Sequence, residues 1–206
     1  YDFYEMLPEE VINVTVKNVN FINGTGYAIT TNTINSITVE DCTVNNYSFG
    51  FLYANKTTPT VVVKDVTVIG GNYGMHWVYG SNATLENVTM TNVAKGLYIQ
   101  NYAKKTINVK NSDITSIEIW ERNTTNYTTF NFIGGNTVSV LENTEYAKYV
   151  LNAVDATLAA PAGHDVKSGN ADYVVAYEDG VYKLVPGSVW NETQNKKYGT
   201  LQAAIE

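Results

Sequence analysis

Apolar residues in this chain keep to alternate positions in short runs that polar turns interrupt. One set of runs carries the pairs Val14/Val16, Ile37/Val39, Val61/Val63, Ala83/Leu85 and Ile107/Val109. A second set carries Val19/Phe21, Cys42/Val44, Val66/Val68, Val88/Met90 and Ser112/Ile114. A period of two puts one face of a strand inward and the other in solvent, so both sets predict half-buried strands. Between each pair of the first set and its partner in the second stands an Asn or Asp. These anchors are Asn18, Asp41, Asp65, Asn87 and Asn111, at intervals of 22 to 24 residues. Eight or nine residues further comes a glycine (Gly26, Gly50, Gly74 and Gly96). It is expected to turn a corner at positive φ ahead of a third strand. Three short strands per unit of about 23 residues, repeated at a fixed period, predict a coil wound into a parallel β-helix.

In such a solenoid equivalent residues stack in columns about 4.8 Å apart. The outward residue before each anchor runs Lys17, Glu40, Lys64, Glu86, Lys110, so every lysine is flanked by glutamates. Opposite charges on neighbouring strands attract modestly, and like charges in that column would repel, which favours this register. The anchors Asn18, Asp41, Asp65, Asn87 and Asn111 read as a structural ladder. Asn and Asp tolerate turn conformations, and stacked amides exchange hydrogen bonds. The alternative for this column is a calcium pair at Asp41 and Asp65. Two carboxylates one rung apart repel unless a cation, a proton or N–H donors lie between them.

The repeat decays after Asn111, with Gly134 standing where the sixth anchor is due and residues 127–155 forming a last irregular coil. "VVAYEDGVYKLV" then predicts a hairpin around Asp179-Gly180. The expected organisation is a β-helix over residues 1–155 and a β-hairpin cap over 156–188 that covers the open edge of the stack. A linker and a short helix N-capped by Thr200 follow over 189–206.

Composition narrows the partners. Charged residues make up only 16% of the 206, and the formal net charge is −7, with no basic cluster. That excludes nucleic acid and anionic membrane as expected partners. No apolar run approaches the length of a membrane span. Cys42 is the only cysteine, so there is no intrachain disulfide and no cysteine metal cluster. Parity places it in the core beside Val19 and Val66, a buried thiol rather than a nucleophile. N-x-[ST] triplets, including those at Asn13, Asn82, Asn87 and Asn123, arise largely from the repeat's own Asn and Thr ladders.

The closing phrase "KKYGTLQAAIE" resembles the short amphipathic helix that opens right-handed β-helices of the pectin-lyase-like superfamily. The coil repeat resembles adhesin-like surface proteins of gut bacteria and archaea. The resemblance implies an all-β, right-handed parallel β-helix with a small C-terminal β-cap. It also implies that the tail begins a following β-helix segment of a longer polypeptide. Lyases of that superfamily use calcium-binding acids with a catalytic arginine or lysine. The only arginine here is Arg122, with no acidic cluster around it in sequence. The phrases "NTD", "DD", "HG" and "RIK" that mark its glycosidases do not occur.

Acid–base hydrolysis of a sugar needs two carboxylates facing one cleft. The outward column of the third strand is expected to be Ala28, Leu52, His76, Tyr98, Glu118, which holds a single acid. Parity expects Tyr53 and Trp77 inward, and Tyr98 and Trp120 outward. A patch of Leu52, His76, Tyr98 and Trp120 is therefore the candidate surface, a flat apolar area beside Gln100 suited to stacking on sugar rings. The expectation is a non-catalytic, extracellular, adhesin-like module without cofactor. Its expected partners are a glycan or host-matrix protein and the tandem β-helix segments of its own polypeptide. A polysaccharide lyase or glycoside hydrolase of the same fold, and a purely structural stalk, are the alternatives.

Overall fold

A computed structural model describes residues 2–3, 13–31, 34–55, 60–79, 82–100, 102–120, 126–142, 144–198 and 204–205. The chain winds into a right-handed parallel β-solenoid of about six coils. The two predicted strand sets are halves of single long strands, Ser36–Asn45, Thr60–Ile69 and Asn82–Thr91, each bent at its anchor. Pairing runs in parallel register on both sides of the bend, Glu40 with Lys64 and Cys42 with Val66, and skips the anchors themselves. The reason lies in the backbone. Asn18, Asp41, Asp65, Asn87 and Asn111 all hold φ between 48° and 57°, and Gly134 takes φ 67° in the sixth coil. That left-handed conformation costs an ordinary L-residue about 1–2 kcal/mol, and Asn, Asp and Gly are the residues that adopt it readily.

A second left-handed column lies five positions on, at Asn23, Asn46, Gly70 and Asn92, with φ between 55° and 74°. It makes the next corner, the one expected of the glycines. Gly26, Gly74 and Gly96 are not at positive φ. Two of them are needed for close approach instead: a Cβ on Gly74 would lie 2.5 Å from the Gly96 carbonyl oxygen, and one on Gly96 would lie 2.6 Å from that of Ser116.

The interior follows the predicted alternation. Ile37, Val39, Val61, Val63, Leu85, Val109 and their second-arm partners are buried in one continuous core. Cys42 is buried among them and donates to the Glu40 carbonyl at 3.1 Å. Ser112 repeats this contact to Lys110 and accepts from the Val88 amide at 3.1 Å. The charged column forms as expected, with Lys17–Glu40 at 3.1 Å, Lys64–Glu40 at 3.8 Å and Lys110–Glu86 at 2.8 Å. These pairs are half-exposed and contribute little energy each, so their value lies in register.

Parallel stacking continues beyond residue 155. Thr157–Ala159 pairs with the strand Gly135–Glu142, and Val166–Ser168 pairs with Ala147–Leu151. Both added strands have only three residues, too few to display alternation. The hairpin Tyr173–Glu178/Val181–Pro186 then covers the end, turning at Asp179 (φ 51°) and Gly180 (φ 81°) and pairing antiparallel with Thr157–Ala159. Val189–Asn191 and Lys196–Tyr198 form a small antiparallel ribbon. Of the closing phrase, Ala204 and Ile205 are helical. Thr200, Arg122 and Asn123 lie outside the described residues.

Replacing Asn87 by Ala puts a Cβ-strained residue at φ 54° and removes the 2.7 Å bond from its amide to the Asp65 carboxylate. The expected loss is about 1–2 kcal/mol in urea unfolding. Asn87→Gly should lose clearly less, because glycine keeps the left-handed corner. Equal losses in the two variants would contradict the backbone explanation.

Candidate functional site

The third strands are Tyr27–Thr31, Gly50–Ala54, Tyr73–Trp77 and Lys95–Gln100, followed by the far half of Asp113–Trp120. Each holds two consecutive buried residues: Ala28/Ile29, Phe51/Leu52, Gly74/Met75, Gly96/Leu97 and Ser116/Ile117. Strict alternation fails there, and the glycines are not equivalent. Gly50 pairs with Tyr27 and Tyr73, whereas Gly74 and Gly96 lie one place further along their strands. Register then defines the outward column as Thr30, Tyr53, His76, Tyr98, Glu118.

Three expectations are therefore corrected. Leu52 is fully buried in a column with Ile29, Met75 and Leu97, so it cannot belong to a surface patch. Ala28 is likewise buried, and Tyr53 faces outward. Aligning the coils on glycine had displaced the second by one residue, and one residue exchanges the faces of a strand. His76 and Tyr98 stand where expected, Trp77 is buried, and Trp120 is 40% exposed.

The corrected column joins a second one, Tyr27, Gly50, Tyr73, Lys95, to make an aromatic face. Gly50 contributes no side chain, and a Cβ there would collide with the Tyr73 carbonyl oxygen. The Tyr27 ring occupies the gap, stacked on Tyr53 at 5.2 Å and tilted against Tyr73 and His76, each at 6.2 Å. His76 lies 4.9 Å from Tyr53 and 5.1 Å from Tyr98, and Tyr98 leads on to Trp120 at 6.5 Å. Lys95 sits 4.5 Å over the Tyr98 ring and 2.8 Å from Glu118.

His76 is held at both nitrogens. Nε2 lies 3.0 Å from the Gln100 amide nitrogen, and Nδ1 lies 2.9 Å from the Tyr27 hydroxyl. The Gln100 NH₂ donates to Nε2, which leaves the proton on Nδ1, where it is donated to the Tyr27 oxygen. Burial, with a smaller push from Lys95, lowers its pKa to about 4. A neutral, doubly bonded imidazole is a positioning element here, and no carboxylate orients it as a base.

The carboxylates of the anchor column are engaged by neighbours: Asp41 with Lys17 at 3.4 Å, and Asp65 with Lys64 at 3.8 Å and with the Asn87 amide. Among the described residues no group of three or more His, Cys, Asp or Glu side chains gathers as a metal site.

Lys105 was not singled out from sequence, although it shares the parity of Ile107 and Val109. It is buried, donating to the carbonyls of Val78 at 3.2 Å and Ala103 at 3.4 Å, and burial lowers its pKa to about 8. A separate groove of about 710 Å³ on the last coils is lined by Tyr127, Lys148, Asp165 and Lys167. Its Asp165–Lys167 pair is closed at 3.1 Å, Lys148 sits 5.1 Å over Tyr127, and its second ring, Tyr149, is buried, whereas the third-strand face offers a continuous cluster.

No known protein family, curated protein or solved structure matches the chain. What the structure shows is a parallel β-solenoid, and a fold by itself assigns no function.

Two titrations follow. The unfolded imidazole takes up a proton near pH 6.5 that the folded His76 refuses until about pH 4. Its contribution is thus present above pH 6.5 and lost as pH falls toward 4. His76→Gln should therefore lose less stability than wild type between pH 7 and 4.5, measured by urea unfolding. For Lys105 the unfolded state holds the extra proton between pH 8 and 10.5, so wild-type stability should rise across that window. Lys105→Met should lack that rise, and parallel curves for the two proteins would contradict the burial argument.

Proposed function

We propose that this chain is a non-catalytic binding module of a cell-surface protein, adhesin-like in character, that engages carbohydrate through its aromatic face. The observation that carries the reading is the run of rings Tyr27, Tyr53, Tyr73, His76, Tyr98 and Trp120 along one outward face of the coil. Aromatic side chains offer an apolar body with a polar tip, which suits ligands that are apolar on one face and hydroxylated at the edge. The rings meet at mixed angles, from 17° for Tyr27–Tyr53 and 18° for Tyr98–Trp120 to 69° for His76–Tyr98, so stacked and edge-on contacts both occur along the face.

Several features favour binding over catalysis. Glu118, which follows Tyr98 in the outward column, is paired with Lys95, and His76 is neutral with both nitrogens engaged. A hydrolase would need a second carboxylate opposed across a cleft. One observation favours the stalk reading: the same rings pack on one another from coil to coil and so contribute to stacking of the solenoid.

A glycan and host-matrix array decides between them, using wild type beside the Tyr98→Ala/Trp120→Ala double variant, with circular dichroism to show that both are folded. Binding by wild type and its loss in the variant are expected. Binding by neither protein would leave the stalk.

A further inference from the structure

The aromatic face has a direction and a charge, and both restrict what can lie on it. Its long axis runs with the stack rather than with the strands. Each coil supplies one or two outward rings, whereas successive coils continue the run from Tyr27 through His76 and Tyr98 to Trp120. From the first of these coils to the fifth is four rungs, roughly 19 Å.

Along the strand direction the face is two columns wide, and it ends where Val78 and Gln100, two places past His76 and Tyr98, are buried. A ligand that covers the rings must therefore be long, thin and aligned with the solenoid.

The charge argument is equally local. Lys95 is the one cation among the described residues shown against these rings, and it is already bonded to Glu118 at 2.8 Å. The column then continues from Glu118 to Glu142, two carboxylates on adjacent rungs. Among the described residues the end of the face near Trp120 thus carries two carboxylates against one lysine, in a chain whose formal net charge is −7. An acidic polysaccharide would be repelled there, and among the described residues no spare cation at the rings would offset the repulsion. The Tyr27 hydroxyl and the buried Gln100 amide are engaged with His76, so what the rings present to a ligand is chiefly uncharged aromatic surface.

Resting on the reading of this face as a carbohydrate surface, we propose that its ligand is an uncharged, extended oligosaccharide laid parallel to the solenoid axis. An extended pyranose chain advances by about one sugar per rung, so about four or five units fill the face. Trp120, 40% exposed, receives the terminal sugar.

The test is calorimetric titration of the full chain with uncharged β-linked gluco-, manno- and xylo-oligosaccharides of two to six units. Oligogalacturonates of the same lengths are run alongside, at low and high salt. Affinity for at least one uncharged series should rise with each unit to four or five and then level off, with no dependence on salt. Trp120→Ala, at the rim of the face where folding is not at stake, should bring the plateau one unit earlier and weaken the longest ligand roughly tenfold.

A preference for oligogalacturonates that salt abolishes would overturn the uncharged class while leaving the carbohydrate reading in place. A plateau already at two units would overturn the axial placement. Glycan binding on the array that survives Tyr98→Ala/Trp120→Ala would move the site off this face, and no glycan binding at all would remove the reading on which the inference rests.

Discussion

One residue per coil, held in the left-handed region of backbone space, is the condition for everything else in this molecule. A strand that continued straight through positions 18, 41, 65, 87 and 111 would not turn, and no column would form. With φ near 50–57° at each, the strand bends by the same amount at the same place, and the next coil falls into register on it. Asn and Asp take that conformation at small cost and their side chains remain outside, where Asn87 donates to Asp65 and Gly135 donates to Asn111. The amide ladder is thus secondary to the corner: the backbone requires the residue type, and the stacked side chains then find one another.

Regular stacking transmits small departures along the whole column. Rungs are 24 residues apart at Val88–Ser112 but 20 apart at Gly96–Ser116, so the fifth coil has lost most of a loop while keeping its strands in place. The missing length lies between the second arm and the third strand, which merge there into the single strand Asp113–Trp120. The interior admits polar groups both with and without hydrogen-bond partners: among the described residues Trp77 Nε1, Thr128 Oγ1 and the Tyr149 hydroxyl have none. Ser112 and Asn136 point inward just after their corners and satisfy backbone groups of adjoining turns. Lys105 is the costly case, a buried ammonium that ties two loop carbonyls together without a counter-charge among the described residues.

The aromatic face arises from the same geometry. Stacking places Tyr53, His76 and Tyr98 at ring separations near one rung, and the bare backbone at Gly50 lets Tyr27 cross from its own column and close on Tyr53 and His76. His76 owes its low basicity to burial among rings that arrive from different coils, with a smaller push from Lys95.

Much of the fold was legible in the residues alone: the period, the two alternating arms, the inward thiol of Cys42, the charged column and the hairpin at Asp179-Gly180. Each of these is local, or repeats at a fixed interval, and alternation translates directly into inside and outside. The second left-handed column at Asn23, Asn46, Gly70 and Asn92 was equally periodic and could have been read. The third strand was not legible in the same way, because two adjacent buried residues break its alternation and its glycines serve different ends in different coils. Whether Leu52 or Tyr53 meets solvent depends on which residue of the next coil each one pairs with, and pairing is a property of the stack. The sequence therefore determined that this chain coils, and where it bends. Only the tertiary structure decided which side chains share its aromatic face, because a slip of one residue exchanges inside for outside.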